Sequence, residues 1–299
     1  MFVLYNALLW SLPFVGAPCA LVLALLGPLG LLGLLGLLGL LGHTSAHAAF
    51  ALALLVVFYV ALGARVARMT QPPPLGAEPA DVPHLTLFHP HGIVTTGFSV
   101  ALIGDRVWNA RRRSVFGAPH FLAAAIWPFM DIWARCCFAC RISSASRASV
   151  VSLMRANKDL YLYPGGFVEA ARHSYHADVV DVGSRGAIRL ALRHGYAVRV
   201  GFAFGERETA YNLQAVEGPR ALWRFRLWLA RRGVPAVLPL LRVWARAPRI
   251  AFSPTIQLPL VRDPTRDDVE RWHAEYVAAL RALHARYKRP GDVLVVHGA

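Results

Sequence analysis

The apolar and polar positions divide this chain into two unlike parts. Residues 1 to 64 contain no Asp, Glu, Lys or Arg, and the first charge is Arg65. A hydrocarbon core of about 30 Å needs about 20 apolar helical residues, so this stretch is long enough to cross a bilayer more than once. The polar interruption His43-Thr44-Ser45-Ala46-His47 predicts a turn between two arms, residues 19–41 and 47–63. The second arm is at the short end of a span, which leaves open a hairpin that dips into the bilayer without crossing it. The stretch lacks the positive start of a cleaved signal peptide and outlasts its apolar core. Arg65 and Arg68 close the second arm and, by the positive-inside rule, place the rest of the chain on the cytoplasmic face. The G-L-L repeat of Gly30–Gly42 has period three, which drifts against 3.6 and forms no G-x-x-x-G seam, so it reads as apolar filler. Residues 1–68 thus predict a membrane anchor built as a two-helix hairpin.

Residues 69–83 are proline-rich, with Pro72, Pro73, Pro74 and Pro83, and mark a boundary before a domain at 84–299. Short apolar runs then alternate with helical patterns. His84–Phe88, Asp159–Tyr163, Ala197–Phe204 and Arg249–Leu258 predict strands. Pro119–Ala134, Ser146–Asn157 and Ser184–Gly195 predict helices, the last stopping at a glycine suited to the position after a helix. This alternation predicts an α/β fold with a mixed or mostly parallel sheet flanked by helices. A closing helix is capped by Thr265, with Asp267 and Asp268 in its first turn. Val269, Trp272, Tyr276, Leu280, Leu283 and Tyr287 succeed one another at steps of three and four as its packed face, and His273 and His284 fall off that stripe, where surface or edge roles are expected rather than chemistry. One further helix, Leu222–Arg232, mixes Trp223, Phe225 and Trp228 with four arginines. It suits a membrane interface as well as a core helix with a solvated basic side.

Composition sharpens this picture in two places. The 299 residues are 56% hydrophobic with a net charge of +15, carried almost wholly by Arg, and the mean hydropathy is +0.42. Nucleic acid, anionic lipid and an acidic small molecule are all partners for such a charge. Behind a membrane anchor, and without a zinc-finger, helix-turn-helix or RNA-binding signature, nucleic acid is not expected. Cys136, Cys137 and Cys140 cluster in an apolar segment with no second C-x-x-C and no nearby His pair, which favours buried reduced thiols over metal binding or lipidation.

The candidate chemistry begins at His89-Pro90-His91-Gly92, directly after the first predicted strand. Sites in open α/β sheets lie outside the carboxyl ends of strands. A metal needs more ligands than this pair, and no H-E-x-x-H or acidic cluster supplies them. Two readings remain: histidines satisfied by backbone, or a general base that needs an orienting group. Tyr163-Pro164-Gly165-Gly166-Phe167-Val168-Glu169 comes after another strand and offers a carboxylate; two such loops meet at one edge of a parallel sheet.

With HPHG, YPGGFVEA (Tyr163–Ala170), RGAIRLALRHG (Arg185–Gly195) and FAFGE (Phe202–Glu206) in this order, the chain resembles the type-2 diacylglycerol acyltransferase family, which includes monoacylglycerol and wax-alcohol acyltransferases. The helix from Ser146 and the closing helix from Val269 extend the resemblance over roughly residues 60 to 290. It implies a glycerolipid-acyltransferase-like fold and acyl transfer from acyl-CoA to a lipid hydroxyl. It also implies residence in the endoplasmic reticulum membrane, with the catalytic domain cytosolic, or on lipid droplets. His91 is then the essential histidine, supported by His89, with Glu169 as its partner. Pro90, Gly92, Pro164, Gly165 and Gly166 shape the substrate-binding loops, and amides near Gly92 or Gly166 hold the oxyanion. Arg185 and Arg189, with Arg193, face the phosphates of CoA, or else form a solvated helix face. No bound cofactor or metal is expected; acyl-CoA is a co-substrate. The partners are membrane lipids and diacylglycerol, with homo-oligomerisation left open.

The chain departs from wider patterns at two points. Glycerolipid acyltransferases carry H-x-x-x-x-D, whereas here His89 leads to Val94 and His91 to Thr96. The short segment between Arg232 and Arg249 also lacks the glycine-and-arginine loop expected there. The alternatives are therefore a monoacylglycerol, fatty-alcohol or lysophospholipid acceptor, or a non-catalytic lipid-binding membrane protein.

Overall fold

The computed structural model describes residues 82–93, 95–98, 115–123, 131, 135, 140–213, 220–234, 237, 239–242, 246 and 248–299. The predicted hairpin at 1–68, most of the linker at 69–83 and two of the clustered cysteines, Cys136 and Cys137, lie outside them. Among the described residues, no helix is long and apolar enough to cross a membrane, and Cys140 is a buried free thiol.

A six-stranded sheet organises the domain. Its strands are β1 (His84–His89), β2 (His120–Ala123), β3 (Arg141–Ser144), β4 (Leu160–Leu162), β6 (Ala197–Phe204) and β9 (Arg249–Phe252). They lie side by side in the order β3-β2-β4-β1-β6-β9. The first five run parallel, and β9 pairs antiparallel with β6. Every residue of β1 and β6 is buried, as expected of central strands covered on both faces. Two small pairs complete the strands. β5 (Asp178–Asp181) runs parallel to β10 (Leu294–His297), and β7 (Ala210–Asn212) runs antiparallel to β8 (Pro239–Leu241). Among the described residues, the longer helices are α1 (Arg147–Arg155), α2 (Gly166–Ala171), α3 (Gly186–His194), α4 (Arg220–Arg231) and α5 (Arg266–Tyr287).

Local chemistry sets several boundaries. The Ser146 side chain accepts the Ser149 amide and starts α1. Gly195, with left-handed φ of 66°, ends α3. Thr265 and Asp268 form a reciprocal capping box at the head of α5. Along β1, Leu85 and Leu87 join the apolar cluster shared with α1, α3 and α5. Phe88 points the other way, against Phe98, Tyr163 and Phe252. The two-residue period of the strand therefore presents His89 to the helix side.

Three expectations are corrected. The helix predicted over Pro119–Ala134 begins instead as strand β2, hydrogen-bonded between β3 and β4; a short apolar run does not distinguish a buried strand from a helix. The strand predicted over Arg249–Leu258 stops at Phe252. Pro254 has no N–H to continue a ladder, and only Ile256 returns, as an isolated bridge to Val198. His273 and His284 are buried, not at the surface. They lie three turns apart on a second stripe of α5, where His273 reaches Val182 O at 2.6 Å and His284 reaches Asp178 Oδ2 at 3.2 Å. The β5 segment covers that stripe, and its pairing with a strand more than a hundred residues away leaves no local pattern.

Candidate active site

Three adjacent strands, β4, β1 and β6, deliver their carboxyl-terminal loops to one place. The central loop is His89-Pro90-His91-Gly92. The loop after β4 turns at Pro164 and Gly165 into α2, which carries Glu169. The loop after β6 begins Gly205-Glu206. Both carboxylates are buried, and each reaches the histidine loop from its own side.

Glu169 collects three donors. Its Oε1 accepts from His89 Nδ1 at 2.8 Å and from the Asp181 amide at 2.9 Å. Its Oε2 accepts the backbone N–H of His91 at 2.6 Å. The imidazole paired to Glu169 is therefore that of His89, while His91 is held through its main chain. His89 is fully buried, and its Nε2 is hydrogen-bonded to the Tyr276 hydroxyl on α5. With both nitrogens committed, this ring is left with none for a substrate or a metal. Tyr276 keeps its proton, because burial and the charges of Glu169 and Asp181 push its phenol well above the ordinary range. The sequence shows Tyr276 only as a packing residue.

His91 is arranged differently. Its ring packs against Tyr163 and Phe167, at centroid distances of 4.8 and 5.7 Å, and the residue is 9% exposed. Nδ1 lies 2.9 Å from the carbonyl of Gly92. A carbonyl only accepts, so Nδ1 carries the hydrogen and the neutral ring keeps its lone pair on Nε2. Burial lowers the His91 pKa, against smaller opposing effects of the Gly92 carbonyl and the Glu169 charge. The ring is thus a neutral imidazole of defined tautomer, with Nε2 making no hydrogen bond to the described residues. Such a group can accept a proton.

The glycines serve the close approach of these parts. Gly92 has φ of +62°, and a Cβ there would lie 2.4 Å from Glu206 Oε1. A Cβ on Gly165 would lie 2.5 Å from the Glu169 side chain. Pro90 is joined to His89 through a cis peptide. The Gly166 N–H closes a turn onto Tyr163 O at 3.2 Å, so it is spent on the fold. The Gly92 amide has no hydrogen-bond partner among the described residues.

Of the predicted basic ligands, Arg185 is engaged by protein partners. Arg185 pairs with Glu270 at 3.2 Å and donates to the carbonyl of Gly298 at 2.6 Å, which ties α3 to α5 and to the end of the chain. Arg189 lies one turn further along α3, half-buried. Arg193 pairs with Asp263.

Sequence reasoning shows Glu206 only as one residue of FAFGE. Its two oxygens accept the amides of Thr96 and Gly97 at 2.9 and 2.6 Å, at the start of the helical turn after the histidine loop. A carboxylate placed at the end of the strand beside β1 is the signal that could have found it. Burial pushes its carboxyl up to about 8 from 4.5, against the pull of the two amides. A folded pKa above the unfolded one adds stability that is complete below about 4.5 and is lost as the pH rises through about 8. Glu206→Gln should therefore flatten the difference in denaturation midpoint between pH 5 and pH 8 relative to the unaltered protein. Glu206→Ala, which orphans two buried amides, should cost about 2–6 kcal/mol in the same titration.

Comparison with known proteins places these residues in a family context. The family described as "Diacylglycerol acyltransferase" matches residues 79–295. Acyl-CoA wax alcohol acyltransferase 2 of Mus musculus is 22% identical over 229 residues, covering 69% of this chain and 66% of its own. Diacylglycerol O-acyltransferase 2 of Danio rerio is 24% identical, covering 70% and 63%. 2-Acylglycerol O-acyltransferase 3 of Homo sapiens is 25% identical, covering 70% and 66%. The chain thus spans just under two thirds of the length of these relatives. No solved structure matches it.

Proposed function

This chain belongs to the diacylglycerol acyltransferase family, and from that premise we propose that it transfers an acyl group from acyl-CoA to diacylglycerol, with His91 as general base. The observation that carries this reading is the His91 ring, whose Nδ1 is held by Gly92 O and whose Nε2 has no partner among the described residues. In the proposed reaction, Nε2 takes the proton of the acceptor hydroxyl as its oxygen attacks the thioester carbonyl. The tetrahedral oxyanion is met by the Gly92 amide, since the Gly166 amide is engaged in its turn. The C–S bond then breaks, the new ester leaves, and the CoA thiolate recovers the proton from the imidazolium. A thiolate is a good leaving group, so no covalent enzyme intermediate and no bound cofactor are needed. Glu169 and His89 act one step back: they hold the loop that carries His91. The setting proposed is the endoplasmic reticulum membrane with this domain on the cytosolic side, extending to lipid droplets.

The three relatives bear names for three acceptor classes, so the acceptor is the point to test. Membranes from cells without neutral-lipid synthesis, expressing this chain, would receive labelled oleoyl-CoA with diacylglycerol, monoacylglycerol, a fatty alcohol or a lysophospholipid. Triacylglycerol should be the main labelled product. A different dominant ester would replace the acceptor assignment, and the absence of any ester would overturn the reading altogether.

A further inference from the structure

Helix α4 carries an uncovered apolar stripe beside the candidate site. Leu222, Phe225 and Trp228 are 53%, 54% and 47% exposed. Arg226 and Ala230, on the adjoining face of the helix, are buried. Of the ten large hydrophobic residues exposed among the described residues, seven lie between 211 and 240. They include Tyr211 and Leu240, which face each other across the β7–β8 pair. Scattered apolar side chains are ordinary on a protein surface, whereas seven within one stretch of chain are a concentration.

Charge separates this surface from an ordinary protein-binding face. Residues 218–262 contain nine Arg and no Asp, Glu or Lys. On α4, exposed Arg220, Arg224 and Arg231 fall at helical spacing along one margin of the apolar stripe. Arg232 lies over the Trp228 ring at 3.8 Å, and Phe225 stacks on Trp228 at 5.8 Å. Aromatic rings bordered by guanidinium groups match the two layers of a membrane surface, acyl chains below and phosphates above. The placement also matters: α4 packs on α2, the helix that carries Glu169 and the Phe167 against which His91 rests.

We infer that the outer face of α4, with the β7–β8 pair, docks on an anionic lipid bilayer and brings the His91 loop to the membrane surface, in addition to any anchoring by residues 1–68. The functional consequence rests on the acyl-transfer reading, because it explains how a water-insoluble acceptor reaches His91 from the bilayer. The docking itself does not depend on catalysis.

The test uses the full chain in nanodiscs of phosphatidylcholine alone or mixed with phosphatidylserine, with amide hydrogen exchange as the readout. Amides of α4 should exchange more slowly in the anionic bilayer, while those of α5 serve as an internal control and should not change. Arg220→Glu/Arg224→Glu/Arg231→Glu should abolish that difference, since each arginine near an anionic surface contributes roughly fivefold to partitioning. Phe225→Ser/Trp228→Ser should do the same through the apolar stripe. All five positions are exposed, and α5 exchange reports whether either variant remains folded. Where ester formation is detected, both variants should raise KM for a bilayer-embedded acceptor and leave turnover of a short-chain soluble acceptor unchanged. Equal α4 exchange in the two bilayers would overturn the proposal. So would protection in detergent that grows with protein concentration, which would assign the face to a second copy, or protection already complete in dilute detergent, which would assign it to this chain's own N-terminal segment.

Discussion

Replacing His91 with alanine is expected to reduce ester formation by about 10²- to 10⁴-fold, the usual contribution of a general base, while the protein remains folded. The side chain makes one hydrogen bond, to its neighbour Gly92, and rests against two rings at the site. Its loss removes that bond and the ring packing and should cost about 1–3 kcal/mol of stability. Initial rates with labelled oleoyl-CoA, normalised to folded protein in the membrane, provide the measurement. The pH profile adds a second check. Burial holds the His91 pKa below 6.5, so the neutral base persists below that pH and the acid limb of the rate should lie beneath it. The same depression contributes stability present above about 6.5 and lost as the pH falls through the folded pKa. The alanine variant should lack that part of the acid sensitivity. Activity in His91→Ala equal to that of the unaltered protein would remove the histidine from the chemistry.

Glu169→Ala is expected to fail in a different way, by loss of the fold around the site. Its carboxylate joins three elements: the ring of His89 on β1, the amide of His91 in the loop, and the amide of Asp181 at the end of β5. Each donor left without an acceptor costs about 1–3 kcal/mol, so the loss of all three bonds should cost the alanine variant about 3–9 kcal/mol. That is a large share of the roughly 5–15 kcal/mol that holds a domain together. Glu169→Gln keeps the volume and one acceptor oxygen, and should retain a folded fraction. In that fraction the negative charge that raises the His91 pKa is gone, so the acid limb of activity should move to lower pH. Thermal unfolding in detergent, read beside the pH–rate profile, separates the two effects. An alanine variant with unchanged melting but lost activity would mean that Glu169 acts on substrate rather than on the loop.

These two outcomes differ because the two histidines have different work, and no local pattern announces it. The motif HPHG and the second loop at Tyr163 are legible as strand-end loops that meet, since a parallel sheet puts such loops on one edge. Glu169 is legible as the carboxylate between them. Its partner is not: pairing with His91 is the simplest expectation, and the structure pairs the carboxylate with the ring of His89 and the main chain of His91. Tyr276, 187 residues further along, completes the bonding of His89 and is visible in the sequence only as part of an apolar stripe. Glu206 is visible only as one letter of a motif.

The sequence by itself determined what local chemistry and periodicity encode: the uncharged N-terminal stretch, the mostly parallel α/β order, the capped closing helix, the two glycine-bearing loops and the family. Tertiary structure alone decided which groups share a bond. The orientation of each imidazole, the burial of His273 and His284, the commitment of Arg185 to Glu270 and the exposed apolar stripe on α4 all depend on neighbours far away in the chain. The physical reason is that periodicity reports the face a residue occupies, whereas a hydrogen bond or a covered surface also requires the position of its partner. That position is set by strand pairings that no short stretch of sequence contains.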